Sequence, residues 1–345
     1  MNKNRCIKTM ALGFLSAILL NGCYDKTETE DRRYVVLIGI DSSDEVLSEE
    51  IKLIGGDGDY ILSLGEAELQ NDIGDNKEDE KTEAVSGNTI PEIKELAEKY
   101  SDKNIYFGQL KAVIIGRELI ADRKAFEETV YNIERMEDIN TKVVVFVSDK
   151  TAADALDAVM KKKSKGGLYL WDYYKNSESI SRNDYMDFES LISHMREEKA
   201  FFIPKIEIND KEVLLEGGVV IKDGKYVADI SDNDIKTVKW LNGKAEGDRV
   251  FSNDISARVK RQTVSLFEEN GRLIIDIHAD CAVESAYGKS KLLWKTELER
   301  VIKENIMNTI ETVVETGADF TEIINENTDV VVNAEVKIVS SGVIK

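Results

Sequence analysis

Few residues in this chain have side chains suited to covalent or acid–base chemistry. There are three cysteines and two histidines, against 66 acidic residues in a total of 345. A cysteine can serve as nucleophile, metal ligand, half of a disulfide or attachment point, and a histidine can move a proton or hold a metal. His194 lies in SLISHM and His278 in DIHAD, and neither has a cysteine or second histidine at the spacing of a zinc site. GxSxG, the Walker loop and GxGxxG do not occur. The Asp- and Gly-rich stretch Gly55–Asp59 lacks the oxygen spacing and closing Glu of a calcium loop, and reads as a hairpin turn. Each Asp or Glu reads first as a surface charge. The sequence therefore points to no catalytic residue, no metal ligand and no cofactor, and the expectation is a protein that is not an enzyme.

Cys23 is the exception. It follows a basic segment with Lys3, Arg5 and Lys8, and then an apolar run from Met10 to Leu20 broken only by Gly13 and Ser16. Such a run reaches about half of a ~30 Å hydrocarbon core, so it is too short to span a membrane. It has the length and positive flank of a secretory signal. Leu20-Asn21-Gly22-Cys23 resembles the bacterial lipobox, in which cleavage before the cysteine is coupled to its thioether linkage to diacylglycerol. Asn21 stands where a small residue is usual. Cleavage after Gly22 and lipid attachment at Cys23 are expected; the plainer reading is an ordinary signal followed by an incidental cysteine. Cys6 leaves with the signal. Cys281 sits in RLIIDIHADCAVE, where Leu273, Ile275, Ile277, Ala279, Cys281 and Val283 share one face of a period-two pattern, so it reads as a small buried hydrophobe.

These positions must be carried by a folded body. Apolar residues make up 42% and charged residues 32%, which suits a globular chain. The formal net charge is -20. That excludes nucleic acid as a partner bound through phosphates and disfavours anionic headgroups. An acidic body held at a bilayer needs an anchor that does not depend on charge, and two acyl chains supply one. Asp25–Arg33 reads as a solvated tether.

Apolar periodicity predicts strands over Tyr34–Asp41, around Gly55–Asp59, and over Leu110–Ile115 and Thr141–Val147. It predicts helices from Thr89 (Ile93, Leu96, Ala97 and Tyr100 inward), over Glu118–Met136, and over Thr151–Met160. Glu66–Val85 reads as an exposed acidic loop. The aromatic stretch Leu168–Tyr174 (LYLWDYY) reads as a helix packing Leu168, Trp171 and Tyr174, with sugar stacking or a partner contact as alternatives. Phe188–Met195 reads as a further helix, and Pro204 marks a domain junction. Later come hairpins at Asp223-Gly224 and Asn270-Gly271, a helix capped by Ser231 or Asp232, a long helix over Ser290–Glu315 and a closing strand over Val330–Val339. The expected fold is α+β and multi-domain, with mixed sheets each flanked by helices and a strand-rich C-terminal half with one long helix. The expected divisions are 1–22 signal, 23–33 tether, 34–200 an N-terminal domain, and 201–345 a second region splitting into 201–250 and 251–345.

The segments GCYD with VVLIGID (22–41), FGQLKAVIIGREL (107–119), TKVVVFVSDKTAADAL (141–156), FFIPKI (201–206), LLEGGVVIKDGKYVADISDNDIKTVKWLNG (214–243) and VNAEVKIVSSGVI (332–344) occur in an order that resembles the Ger(x)C family, the C-subunit lipoproteins of spore germinant receptors. Tyr24 replaces the family's usual Trp after the cysteine. The resemblance implies a lipid-anchored subunit on the outer face of the spore inner membrane, assembled with an A subunit and a transporter-like B subunit that respond to nutrient germinants. It also implies three domains, each of sheet and helix, and a scaffolding role without catalysis. A solute-binding lipoprotein of an uptake system is the alternative, and would show two lobes joined by crossovers around a ligand cleft. An envelope hydrolase is a further rival, without a nucleophile motif.

Overall fold

The run from Tyr34 to Asp41 carries β-branched and apolar residues without alternation, the pattern of a strand covered on both faces. It lies within β1 (Arg32–Ser42), near the middle of the larger sheet in a computed structural model of the chain. The described residues are 31–55, 57–67, 82–101, 103–162, 166–175, 186–209, 212–286, 290–324 and 329–341. Cys23 and the cleavage position after Gly22 lie outside them.

After β1 come β2 (Ile51–Ile54), β3 (Tyr60–Glu66), β4 (Thr82–Gly87), α1 (Ile90–Lys99), β5 (Asn104–Tyr106), β6 (Ala112–Ile115), α2 (Arg117–Ala121), α3 (Arg123–Glu134), β7 (Val144–Ser148), α4 (Ala152–Lys162), α5 (Gly166–Lys175), β8 (Met186–Asp187), α6 (Phe188–Arg196), β9 (Phe201–Asn209), β10 (Glu212–Lys222) and β11 (Lys225–Ile230). These strands form one mixed sheet in the order β11-β10-β9-β7-β6-β1-β3-β4-β2, with β5 beside β1 and β8 beside β7. The central β9, β7, β6 and β1 run parallel. One face packs on α1, α2, α3 and α6 through residues such as Ile93, Leu119, Phe126 and Leu191. The other packs on α4 and α5 through Leu156, Val159 and Leu170.

The chain then passes through α7 (Asp232–Leu241) into a second sheet of β12 (Arg249–Ser252), β13 (Ile255–Glu269), β14 (Arg272–Ala286) and β15 (Asp329–Ser341), with α8 (Lys291–Thr316) between β14 and β15. β14 and β15 are parallel. One sheet face closes on α8 through Ile275, Ile277, Cys281, Leu298, Ile302 and Ile306. Ser231 caps α7, with Asp234 completing a capping box. The architecture is α+β with two mixed sheets.

Several expectations need correction. β2 and β3 are not a hairpin: β4 lies between them, antiparallel to β3 and parallel to β2. The supposed loop up to Val85 therefore ends too late, because β4 buries Ala84 and Val85. The helix expected over 118–136 is two, since the Asp122 side chain accepts from Lys124 and Ala125 N–H and starts α3 anew. Tyr100 is 65% exposed, at the end of α1 rather than on its packed face. In α5 the fully buried side chain is Leu170, Leu168 is half-buried, and the Tyr174 side chain lies outside the described set.

The first sheet also continues through residue 201, so the division expected at 200/201 falls within a sheet. Pro204 does not break β9, because β10 is irregular opposite it: the register shifts between Leu215 and Gly218, with Gly217 at φ +66°. A bulge removes the demand for the N–H that proline lacks. β10 in fact separates two cores, with Val219 and Ile221 facing the first and Val220 the second. β1 already begins at Arg32, inside the expected tether.

Candidate functional site

Parallel strands collect loops at their carboxyl ends, and here β1, β6 and β7 bring Asp41, Gly116 and Asp149 to one edge of the sheet. Asp41, the last residue of VVLIGID, is fully buried. Its Oδ1 accepts from Ala152 N–H at 2.5 Å and its Oδ2 from Ala153 N–H at 2.9 Å. A carboxylate 111 residues away in sequence thus caps α4 at the positive end of its dipole. Thr151 Oγ1 adds a local cap by accepting from Asp154 N–H at 3.0 Å.

Two glycines make room for this joint. A methyl carbon on Gly39 would lie 2.9 Å from Ala152 O, so the close approach of α4 to β1 needs a residue without Cβ. Gly116 N–H donates to Ile40 O at 2.8 Å. A methyl carbon on Gly116 would overlap Asp41 Oδ1 and sit 2.7 Å from Glu45 Oε1. The two carboxyls therefore lie within the ~4–6 Å over which like charges disfavour ionisation.

Burial, followed by Asp154, pushes the Asp41 carboxyl up to about 7 despite its two N–H bonds. Burial, with Asp41 and Glu118 nearby, pushes Glu45 up to about 8. Glu45 Oε1 is buried and has no hydrogen-bond partner among the described residues. The pair behaves as a site that keeps a proton near neutral pH. An open crevice of about 580 Å³ lies above it, with Glu45, Arg117, Glu118, Asp149, Lys150 and Asp154 among its walls. Arg117 reaches across to Asp229 of β11 at 2.9 Å and stacks on Tyr226, tying the rim to the far edge of the sheet.

Because Gly116 has an ordinary φ of -66°, its replacement tests sterics alone. Gly116→Ala should lower stability by about 1–3 kcal/mol, as a new methyl displaces Asp41 from the α4 amides. A urea midpoint equal to that of the parent would show that the carboxyl moves aside freely.

Among the described residues, the cysteine and the two histidines do not join this site. The Cys281 thiol is buried in the second core and burial pushes it up to about 12, so it is no nucleophile at neutral pH. His278 points outward from β14, 3.1 Å from Glu335, and His194 stacks on Phe201. Among the described residues, no group of three or more His, Cys, Asp or Glu side chains is placed to hold a metal ion. Sequence reasoning missed Asp41 and Glu45. Their trace is the pair of glycines ending two apolar runs, in LIGID and VIIGREL.

Comparison with known proteins bears on the whole body. A family model described as the spore germination protein N-terminal domain matches residues 25–208 and ends inside β9. Spore germination protein A3 of Bacillus subtilis (strain 168) is 18% identical over 238 residues, covering 68% of this chain and 60% of that one. Spore germination protein KC of the same organism is 24% identical over 163 residues, covering 45% and 37%. The matched regions thus span less than two thirds of either relative. The crystal structure of the GerBC protein shares the fold, with a TM-score of 0.52 at 16% identity over 81% of this chain and 93% of that chain. With the family model matching more than half of its length and the fold shared throughout most of it, this protein belongs to the Ger(x)C family of spore germination proteins.

Proposed function

We propose that the protein acts in spore germination as the C subunit of a nutrient germinant receptor, held by lipid on Cys23 at the outer face of the spore inner membrane. There it scaffolds an A and a B subunit and performs no catalysis. The observation that carries this reading is the family match from residue 25, which begins just after the cysteine of the lipobox-like LNGC. The charge supports it: a chain at -20 needs an anchor independent of headgroup charge, and a diacylglyceryl cysteine provides two chains. The crevice over Asp41 and Glu45 belongs in this reading to the structural joint of the N-terminal sheet.

The solute-binding alternative is less well supported. Among the described residues each sheet is built from one continuous stretch of chain, and the chain passes between the sheets once, through α7. Two lobes around a ligand cleft would need repeated crossings.

Cys23→Ala should leave thermal unfolding of the body unchanged, move the protein from the spore membrane to the soluble fraction, and impair the nutrient response. Intact mass of the mature parent should show a diacylglyceryl adduct on an N-terminal Cys23. A variant that stays in the membrane and supports normal germination would end the anchoring account.

A further inference from the structure

Aromatic side chains gather at the start of β1. Tyr34 meets Tyr106 of β5 edge-on, with ring centroids 5.8 Å apart, and the Arg32 guanidinium lies over the Tyr106 ring at 4.6 Å. α5 lies over the same end of the strand. A methyl carbon on its Gly167 would sit 3.2 Å from Val36 Cβ, while Lys111 N–H donates to Val36 O at 2.9 Å. The Lys111 ammonium stands 6.0 Å from the centroid of Trp171, and Tyr169 and Tyr173 are 6.4 Å apart on α5. Tyr34, Tyr106, Tyr169, Trp171 and Tyr173 are all half-buried. The chain's two other tryptophans, Trp240 and Trp294, are 7% and 4% exposed within the second core.

We propose that this patch, centred on Trp171, sits in the headgroup region of the bilayer and sets the orientation of the anchored body. The inference rests on the lipid-anchor reading and goes beyond it. Nine peptide links separate Cys23 from Arg32, which cap the distance between anchor and patch at about 30 Å. Tyr and Trp rings with an apolar body and a polar edge prefer the membrane interface, and Arg and Lys beside them reach phosphates. That preference does not need a basic surface. Asp31 and Asp172 are exposed in the same region, so zwitterionic lipid suits it better than anionic lipid. The Asp41 crevice is at the opposite end of β1, seven residues or about 23 Å further from the bilayer.

The test uses the lipidated full chain in phosphatidylcholine vesicles, with and without bromine on the acyl chains near the headgroup. Bromine quenches only tryptophans close to it. Brominated lipid should remove up to one tryptophan's share of the emission, and Trp171→Phe should abolish that loss while the buried Trp240 and Trp294 stay bright. Vesicles should also shield the wild-type emission from acrylamide, a check that needs no variant. If the protein floats with vesicles but its emission ignores the bromine, the anchor stands and the patch faces elsewhere, as a protein-docking surface would. If the protein does not float, the anchor reading and this orientation both fall.

Discussion

Replacing Lys239 by methionine should destabilise the protein by about 3–5 kcal/mol, among the largest losses open to a single substitution in this fold. Lys239 is 3% exposed and Asp248 is 7% exposed, and the lysine Nζ donates to Asp248 Oδ1 at 2.6 Å. Methionine fills the same space with no cation, so the carboxylate is left buried and uncompensated. Asp248 Oδ2 already has no partner among the described residues, so nothing nearby takes up the charge. The location adds to the effect. α7 packs against β10 on one side and α8 on the other, bonded to α8 through Thr237 Oγ1 to Asn305 O and Thr309 Oγ1 to Asp234 Oδ1. Loosening α7 loosens the join between the two sheets. Urea unfolding of Lys239→Met, Asp248→Leu and the double variant measures it. The double variant should recover most of the loss, because two apolar groups bury without an orphaned charge. Exposed pairs such as Arg300–Glu304, screened by water, should yield far less on the same measure. A single-variant loss below about 1 kcal/mol would mean that water reaches Asp248.

How far the sequence foretells this fold depends on whether the signal is local. The hairpins at Asp223-Gly224 and Asn270-Gly271 are legible because both residues of each turn adopt positive φ, 51° and 73°, then 52° and 78°. The face of β14 is legible because it alternates: Ile275, Ile277, Ala279, Cys281 and Val283 are all buried as the period-two pattern requires. α8 is legible for the same reason at a helical period, with Leu298, Ile302, Ile306, Ile310 and Val313 buried. Strand order is not legible. β1, β6 and β7 are buried on both faces and read alike in any order, so nothing local says that β4 lies between β2 and β3. Pro204 misleads for a related reason. The bulge that accommodates it is on another strand.

The Asp41 joint hides in the same way. Its partners are amides more than a hundred residues away, so no capping motif surrounds it in sequence. Only Gly39 and Gly116 mark the spot, and small residues at the ends of apolar runs have many causes. Cys23 is the reverse case: its pattern is wholly local, and its chemistry depends on processing rather than on packing.

The carboxyl joint carries the second large prediction, a stability that falls as pH rises through neutrality. The folded state holds Asp41 up to about 7 and Glu45 up to about 8, against the ordinary 3.8 and 4.5 of the free groups. Between about pH 4 and 8 the folded protein therefore binds more protons than the unfolded chain, so folding weakens with each step upward and levels off above the folded values. For fully buried Asp41 the shift corresponds to about 4 kcal/mol across that window. Asp187 and Glu284 act in the opposite sense, since bonds to Ser190 and Lys142 and to Arg249 and Arg258 hold them below their ordinary range. Their contribution is lost only as pH falls below the ordinary carboxylate range, so a titration from pH 5 to 8.5 leaves them aside. Glu45→Gln removes one carboxyl and relieves the other. It should make the protein more stable than the parent at pH 8, with the advantage shrinking toward pH 5. Asp41→Ala should be less stable than the parent at pH 5, because the Ala152 and Ala153 N–H groups then lie buried without acceptors, at about 1–3 kcal/mol each, and the deficit should shrink toward pH 8, where the parent bears the cost of its own buried charge. Comparing variants with the parent at each pH cancels the repulsion of the acidic surface, which all share. Parallel parent and Glu45→Gln curves would mean that both carboxyls ionise freely in the folded state, and that the joint holds no proton.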